Sequence, residues 1–176
     1  MILIDIQKNK IVQAMDIDKR GVFKRLSKLL EEQGEMYEAY LLTNTNETIE
    51  EAIDNLIVLV SLAYEIDKNS LISVEMIASQ GIQKAIDNSI LMVTDNPDRM
   101  LMSYSVCIGN IADMFQKYES VASSLYKGKV SAEDTLESVN KAILTLMTFI
   151  GQISTDTVFM NELIVKKTNK WIEKVS

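Results

Sequence analysis

The chain has 176 residues, of which 47% are hydrophobic and 24% are charged, a composition typical of a globular protein rather than a disordered one. Its net charge of −7 disfavours nucleic acid as a partner, because a polyanion is repelled over most of the surface. There is no histidine and one cysteine, Cys107, which excludes Ser-His-Asp and Cys-His catalysis, histidine-based zinc sites and an internal disulfide.

The first half of the chain is predicted to be helical throughout. Only one proline and six glycines occur in the whole sequence, so few residues interrupt helices. The apolar spacing predicts helices over 3–15, 20–43, 47–66 and 71–92. The second of these carries an apolar stripe of helical period, formed by Val22, Phe23, Leu26, Leu29, Leu30, Met36, Tyr37, Tyr40 and Leu41.

The second half repeats this helical character. Asn96-Pro97 predicts a cap and the first helical position of a helix that runs to about 126, where Lys127-Gly128-Lys129 ends it. Ser131 and Asp134 have the spacing of a capping box for a helix over 132–153, and Ser154-Thr155-Asp156 starts the last helix. These elements predict an all-α helical bundle forming one domain over 1–176, with halves at 1–92 and 96–176.

The two halves share a pattern that suggests a degenerate duplication of a helical-hairpin unit. Gly34-Glu35-Met36 and the apolar run after Thr48 have counterparts in Gly109-Asn110-Ile111 and the run after Thr135. Chance likeness between two helical hairpins is the alternative. The alignment pairs four acids of the first half with residues that are not acidic, namely Glu32 with Cys107, Glu35 with Asn110, Glu51 with Ser138 and Asp54 with Lys141.

The cellular compartment is predicted from cysteine usage and from the N-terminus. A single cysteine favours a reducing compartment. Asp5 and Lys8 come too early for the apolar region of a signal peptide, and the longest apolar stretches are too short to span a bilayer. A cytoplasmic protein without a membrane partner is therefore expected.

Two acidic pairs, Glu32-x-x-Glu35 and Glu51-x-x-Asp54, carry the functional hypothesis. Their i,i+3 spacing places both side chains of a pair on one helix face, with Cβ atoms about 5–6 Å apart. The second pair leads into the apolar run 56–63, so its carboxylates border a buried helix, where an unpaired charge is costly. Hard oxygen ligands of this kind select Mg²⁺, Mn²⁺ or Ca²⁺, and Mg²⁺ is the ion expected here, with Mn²⁺ as a substitute. The alternative is that the pairs belong to solvated helix faces.

A resemblance to a known superfamily rests on the same residues. E-E-x-G-E at 31–35, followed by E-E-x-x-D at 50–54, resembles the ExxE…ExxD signature of the all-α nucleotide pyrophosphohydrolases. That superfamily contains the MazG-type enzymes, the dimeric dUTPases and the phosphoribosyl-ATP pyrophosphohydrolases. The run 162–171 is similar to the closing helix of MazG-type domains. The helical stretch 71–153 between the two motifs makes the layout closer to the dimeric dUTPase type.

The resemblance implies Mg²⁺-dependent hydrolysis of a nucleoside triphosphate to the monophosphate and pyrophosphate, in a homodimer or homotetramer. It implies a water-activating role for one of Glu31, Glu32 and Glu35. The implied metal ligands are Glu32, Glu35, Glu51 and Asp54. The implied substrate-binding residues are Lys28, Lys166, Lys167, Asn169, Lys170 and Lys174.

Several alternatives stay open at the level of sequence. The chain could be a non-catalytic helical interaction protein derived from that fold, or a related phosphohydrolase acting on another nucleotide, such as a phosphoribosylated one. Trp171 either anchors the last helix or stacks on a base. Because the chain has no glycine-rich phosphate loop, phosphate binding is expected to come from metal, lysine and asparagine.

Overall fold

The structure, a computed structural model, describes residues 4–6, 8–90, 96–118 and 130–176. These residues form seven α-helices and no strand, which confirms the predicted all-α helical bundle. The helices are α1 (Lys8–Ile17), α2 (Gly21–Leu41), α3 (Thr45–Ile66), α4 (Leu71–Ile90), α5 (Pro97–Tyr118), α6 (Ala132–Ile153) and α7 (Thr157–Val175).

The helix starts that the sequence predicted from capping residues are confirmed. The Asn96 side chain accepts a hydrogen bond of 2.8 Å from a backbone N–H of the first turn, and Pro97 is the first residue of α5. Ser131 and Asp134 form both hydrogen bonds of a capping box before α6. The Asp156 side chain accepts a backbone N–H in the first turn of α7. Each cap satisfies N–H groups that have no partner within their own helix.

The first helix begins later than the predicted 3–15, because residues 4–6 are not helical. Ile4 and Ile6 are buried while Asp5 is exposed, which is the period-two pattern of extended backbone. The backbone N–H groups of Ile4 and Ile6 donate to side chains of α4, to Ser79 Oγ at 2.9 Å and to Glu75 Oε1 at 3.1 Å. Donors bound to another helix in this way are not available for a helical turn.

Parts of three predictions lie outside the described residues. These are the start of the first helix at residue 3, the end of the fourth helix at 91–92, and the stretch 119–129. The last of these contains the predicted end of the fifth helix and the Lys127-Gly128-Lys129 break.

The helices are arranged around α3 and α6, which pack against each other at the centre. α2 packs on α3 and α5 packs on α6, so each half contains a helical hairpin. The buried core contains side chains from all seven helices. None of the described helices combines the length and the apolar character that a membrane span requires.

The last helix of each half packs against a central helix of the other half. α4 of the first half lies along α6, and α7 of the second half lies against α3. The α4–α6 contact is so close that a Cβ atom on Gly81 would lie 2.6 Å from Met147 Cβ, and one on Gly151 would lie 2.7 Å from Ala85 Cβ. Because the two backbones nearly touch there, no cavity can form at this point. α7 approaches α3 in a different way, described below.

Part of the predicted apolar stripe of α2 faces solvent. Leu29 and Met36 are fully buried, but Phe23, Leu30 and Leu41 are 46%, 56% and 76% exposed. The buried face of α2 is narrower than its apolar stripe because α2 packs extensively on α3 alone and touches α5 only lightly. A helix with one main neighbour buries a narrower face than nine apolar residues cover.

Candidate functional site

A cavity of about 300 Å³ lies among α2, α3 and α7. It is lined by four acidic and seven basic side chains, although the whole chain carries a charge of −7. The four acids are the predicted metal ligands, and four of the six predicted substrate-binding residues are among the basic side chains. The lining consists of Glu32, Glu35, Glu51, Asp54, Arg20, Lys24, Arg25, Lys28, Lys167, Lys170, Lys174, Ile57, Val58, Ser61 and Trp171.

Three of the acids converge closely enough to share one cation. Glu32 and Glu35 come from one face of α2, and Glu51 comes from the facing side of α3. One carboxylate oxygen from each lies within 4.8 Å of the other two. Glu32 is 5% exposed, Glu51 is half-buried and Glu35 is exposed, so the group extends from the protein interior to the cavity mouth.

One oxygen of the innermost acid has no partner. Glu32 Oε1 pairs with Lys28 Nζ at 2.5 Å, but Glu32 Oε2 is buried and makes no hydrogen bond with any residue that the structure describes. Leaving a charged oxygen buried without a partner is costly. A cation can satisfy such an atom, and so can the proton of Glu51, whose side chain lies within hydrogen-bonding reach of Glu32. The donor set therefore fits a divalent cation.

Asp54 lines the same cavity but lies outside the three-acid group. Its carboxylate is paired with Lys167 Nζ, which also lies 4.0 Å from Glu50 Oε2. Lys167 comes from α7, 113 residues further along the chain. The last helix, α7, thus places the ammonium group of Lys167 against Asp54, a predicted metal ligand.

Two of the cavity acids, Glu51 and Asp54, hold their protons more tightly than exposed carboxyls do. Burial, together with the nearby charges of Asp54 and Glu32, raises the pKa of Glu51 to about 7, although Lys167 acts in the opposite direction. Burial also raises the pKa of Asp54, despite its hydrogen bond with Lys167. Clustered carboxylates repel one another, and a bound cation relieves that repulsion.

This protonation predicts a pH-dependent response to Mg²⁺. The folded pKa of Glu51, about 7, is above its ordinary value of 4.5, so its contribution to the stability of the metal-free protein is fully present below about pH 4.5 and is lost as the pH rises through 7. A Mg²⁺ ion held by these acids would compete with that proton. We expect Mg²⁺ to stabilise the protein more at pH 8 than at pH 6, and at pH 8 the stabilisation should be roughly 2.7 kcal/mol at a hundredfold excess over Kd. Thermal melts with and without Mg²⁺ at both pH values measure this difference.

The matched variant for that experiment is Glu51→Gln, which removes the titrating group and keeps the shape of the side chain. We expect it to raise the melting temperature of the metal-free protein at pH 8, and to reduce the Mg²⁺ shift at both pH values. A Mg²⁺ shift in Glu51→Gln as large as that of the wild type would contradict the role of Glu51 at the site.

The basic side chains of the cavity divide into paired and unpaired groups. Lys28 bridges Glu31 at 2.8 Å and Glu32 at 2.5 Å, and Lys167 pairs with Asp54. Lys24, Lys170 and Lys174 form no ion pair with any described residue. These three lysines are exposed and line one cavity from α2 and α7, where their positive charge favours an anionic ligand.

The part of the cavity that lies near the start of α2 is built on Asp18, which is 4% exposed. Asp18 accepts hydrogen bonds from the Arg20 side chain and from Trp171 Nε1 at 2.9 Å, and lies 3.7 Å from the Arg25 guanidinium. Burial acts to raise the pKa of Asp18, but the hydrogen bonds from Arg20 and Trp171 outweigh it and lower the pKa to about 2. Asp18 thereby ties the start of α2 to α7.

Trp171 anchors the last helix, which is one of its two predicted roles. Besides its hydrogen bond with Asp18, its ring lies 5.8 Å from the Arg25 guanidinium carbon. It also lines the cavity, so stacking on a base stays a prediction.

Three predicted site residues do not line the cavity. Glu31 is exposed and pairs with Lys28 at the rim, and Lys166 is exposed with its Nζ 3.9 Å from Glu50 Oε2. Asn169 faces α1, where its Oδ1 accepts a hydrogen bond of 2.7 Å from Lys10 Nζ. Successive residues of a helix point in different directions around its axis, so the side chains of a run such as 166–170 cannot all point at one site.

Four residues at the cavity were missed by the sequence analysis. Lys24 had a signal, because it lies one turn before Lys28 and two turns before Glu32 on the same face of α2. No sequence signal pointed to Asp18, Arg20 or Arg25, because Trp171, which they surround, lies about 150 residues away in the chain.

Comparisons of the chain with protein-family models, with curated proteins and with solved structures found no match. The resemblance to the all-α pyrophosphohydrolases therefore stays a prediction.

Proposed function

We propose that this protein is a Mg²⁺-dependent nucleoside triphosphate pyrophosphohydrolase, which converts a (d)NTP and water to the monophosphate and pyrophosphate. The observation that carries the proposal is the cavity itself, in which a three-acid group lies beside unpaired lysines. The acids suit a divalent cation, and the neighbouring lysines suit a polyphosphate.

The metal would be held by Glu32, Glu35 and Glu51, with Asp54 as a further ligand. The orphaned Oε2 of Glu32 supports this assignment, because a cation there would remove its unpaired charge. When bound, Mg²⁺ supplies positive charge that stabilises negative charge on the reacting phosphate oxygens. Mn²⁺ prefers similar oxygen ligands and is expected to substitute.

The phosphate chain would be bound by Lys24, Lys170 and Lys174. Their ammonium groups have no partner among the described residues, so no existing ion pair must break before they contact phosphate. Trp171, Ile57 and Val58 add apolar surface to the same cavity, where a nucleoside can be covered.

Of the three acids proposed to activate water, Glu35 suits the role best. Glu31 does not line the cavity, and Glu32 is buried against Lys28. Glu35 is exposed, lines the cavity and lies beside the other two acids of the group. It would take a proton from the water that attacks phosphorus, while the P–O bond to the departing pyrophosphate breaks.

A panel of canonical and modified (d)NTPs tests the proposal. Purified protein with Mg²⁺ should release pyrophosphate and the nucleoside monophosphate from at least one of them, and EDTA should stop the release. Orthophosphate as the product, or no hydrolysis of any nucleotide, would contradict the proposal.

The competing function, a non-catalytic helical interaction protein, is favoured by exposed apolar side chains. Leu30 on α2 and Met102 and Val106 on α5 are 56%, 69% and 64% exposed. The proposed homodimer or homotetramer would bury such side chains as well. An inactive protein without a Mg²⁺ response in the melts above would favour the interaction protein.

A further inference from the structure

Two lysines are paired with two of the four acids in the cavity. Lys28 Nζ lies 2.5 Å from Glu32 Oε1, and Lys167 Nζ pairs with Asp54. The two ammonium groups come from different helices, α2 and α7, and both side chains line the cavity. When all four acids are ionised, the two ammonium groups offset half of their negative charge.

Each lysine also contacts a second acid outside the cavity. Lys28 Nζ lies 2.8 Å from Glu31 Oε1, and Lys167 Nζ lies 4.0 Å from Glu50 Oε2. Glu31 and Glu50 directly precede the cavity acids Glu32 and Glu51 and do not line the cavity themselves. This second carboxylate can keep each lysine next to the cavity after the lysine leaves its cavity acid.

We infer that Lys28 and Lys167 are internal counter-ions that leave Glu32 and Asp54 when Mg²⁺ binds and then contact the phosphate groups of the ligand. Mg²⁺ and a phosphate-bearing anion therefore bind cooperatively. This inference rests on the proposed function, because it assigns roles to residues of the same site.

The physical reason is competition between cations for the same oxygen atoms. An ammonium group beside a carboxylate lowers its affinity for any other cation, as it lowers its affinity for a proton. The released ammonium groups stay in the cavity on flexible four-carbon stems, where they raise its affinity for an anion. The coupling is reciprocal, so the anion must raise the affinity for Mg²⁺ by the same factor.

Calorimetric titration with Mg²⁺, with and without orthophosphate, tests the inference on the wild type and on the double variant Lys28→Met/Lys167→Met. Orthophosphate is the probe because it chelates Mg²⁺ only weakly in solution. For the wild type we expect orthophosphate to tighten Mg²⁺ binding by at least about fivefold. The double variant should bind Mg²⁺ alone about tenfold tighter than the wild type, and orthophosphate should then have little effect.

Lys24→Met is the matched control, because it removes a cavity ammonium group that is not paired with an acid. It should tighten Mg²⁺ binding far less than the double variant does. If Lys24→Met tightens binding equally, general charge removal explains the effect and the inference is overturned. Equal or weaker Mg²⁺ binding by the double variant also overturns it. Should circular dichroism show that the double variant is unfolded, each single variant is titrated instead, with a smaller tightening expected.

The outcome is distinguishable from failure of the proposed function. A wild type that releases no pyrophosphate from any nucleotide, yet shows the Mg²⁺–phosphate coupling and its loss in the variant, refutes hydrolysis alone. Pyrophosphate release by a wild type that lacks the coupling refutes the lysine exchange alone.

Discussion

Glu35→Gln and Asp54→Asn should each lower pyrophosphate release by at least about a hundredfold while the fold stays intact. Glu35 belongs to the three-acid group and is the proposed acceptor of the water proton, and Asp54 lines the same cavity. Both replacements keep the size of the side chain and remove its negative charge. Steady-state rates at saturating Mg²⁺ measure the loss, and circular dichroism checks the helix content.

The matched control is Glu38→Gln, which neutralises an exposed acid on α2 one turn beyond Glu35 and outside the cavity lining. Its rate should stay within about twofold of the wild type, because surface charges away from a site have small effects. Rates close to wild type in both Glu35→Gln and Asp54→Asn would end the assignment of this cavity as the active site.

Gly81→Ala should destabilise the protein by about 2–3 kcal/mol, because α4 has no room for a side chain where it crosses α6. The new Cβ would lie 2.6 Å from Met147 Cβ and 3.0 Å from the backbone oxygen of Leu144. These neighbours are a backbone atom and the first atom of a side chain, so neither can rotate away. Urea denaturation measures the change in the free energy of unfolding.

Gly109→Ala and Gly34→Ala are controls for which we expect a change of opposite sign in the free energy of unfolding. Both glycines lie inside helices, and a Cβ atom at either would meet nothing within 4 Å. Alanine favours the helix by about 0.5–1 kcal/mol over glycine, so both variants should be slightly more stable than the wild type. A stability of Gly81→Ala equal to that of these controls would show that α4 and α6 are farther apart than the structure places them.

Much of the candidate site could be predicted because it follows from helix geometry. The i,i+3 spacing in Glu32-x-x-Glu35 and Glu51-x-x-Asp54 places each pair on one face, and the short turn at 42–44 brings the two faces together. Lys167 was predicted to contact phosphate, but its ion pair with Asp54 could not be predicted. No local pattern connects two residues that are 113 positions apart.

The sequence alone determined the local structure of this protein. The 3.6-residue period of its apolar residues and the capping residues Asn96, Ser131 and Asp156 determine where helices form, and the same period determines which acids share a face. The tertiary structure decided what meets across the bundle. It placed Ile4 and Ile6 in extended backbone against α4, and it brought Trp171 and the lysines of α7 to Asp18 and the acidic cluster. Backbone hydrogen bonds within a helix join residues four apart, whereas these contacts depend on how all the helices share one core.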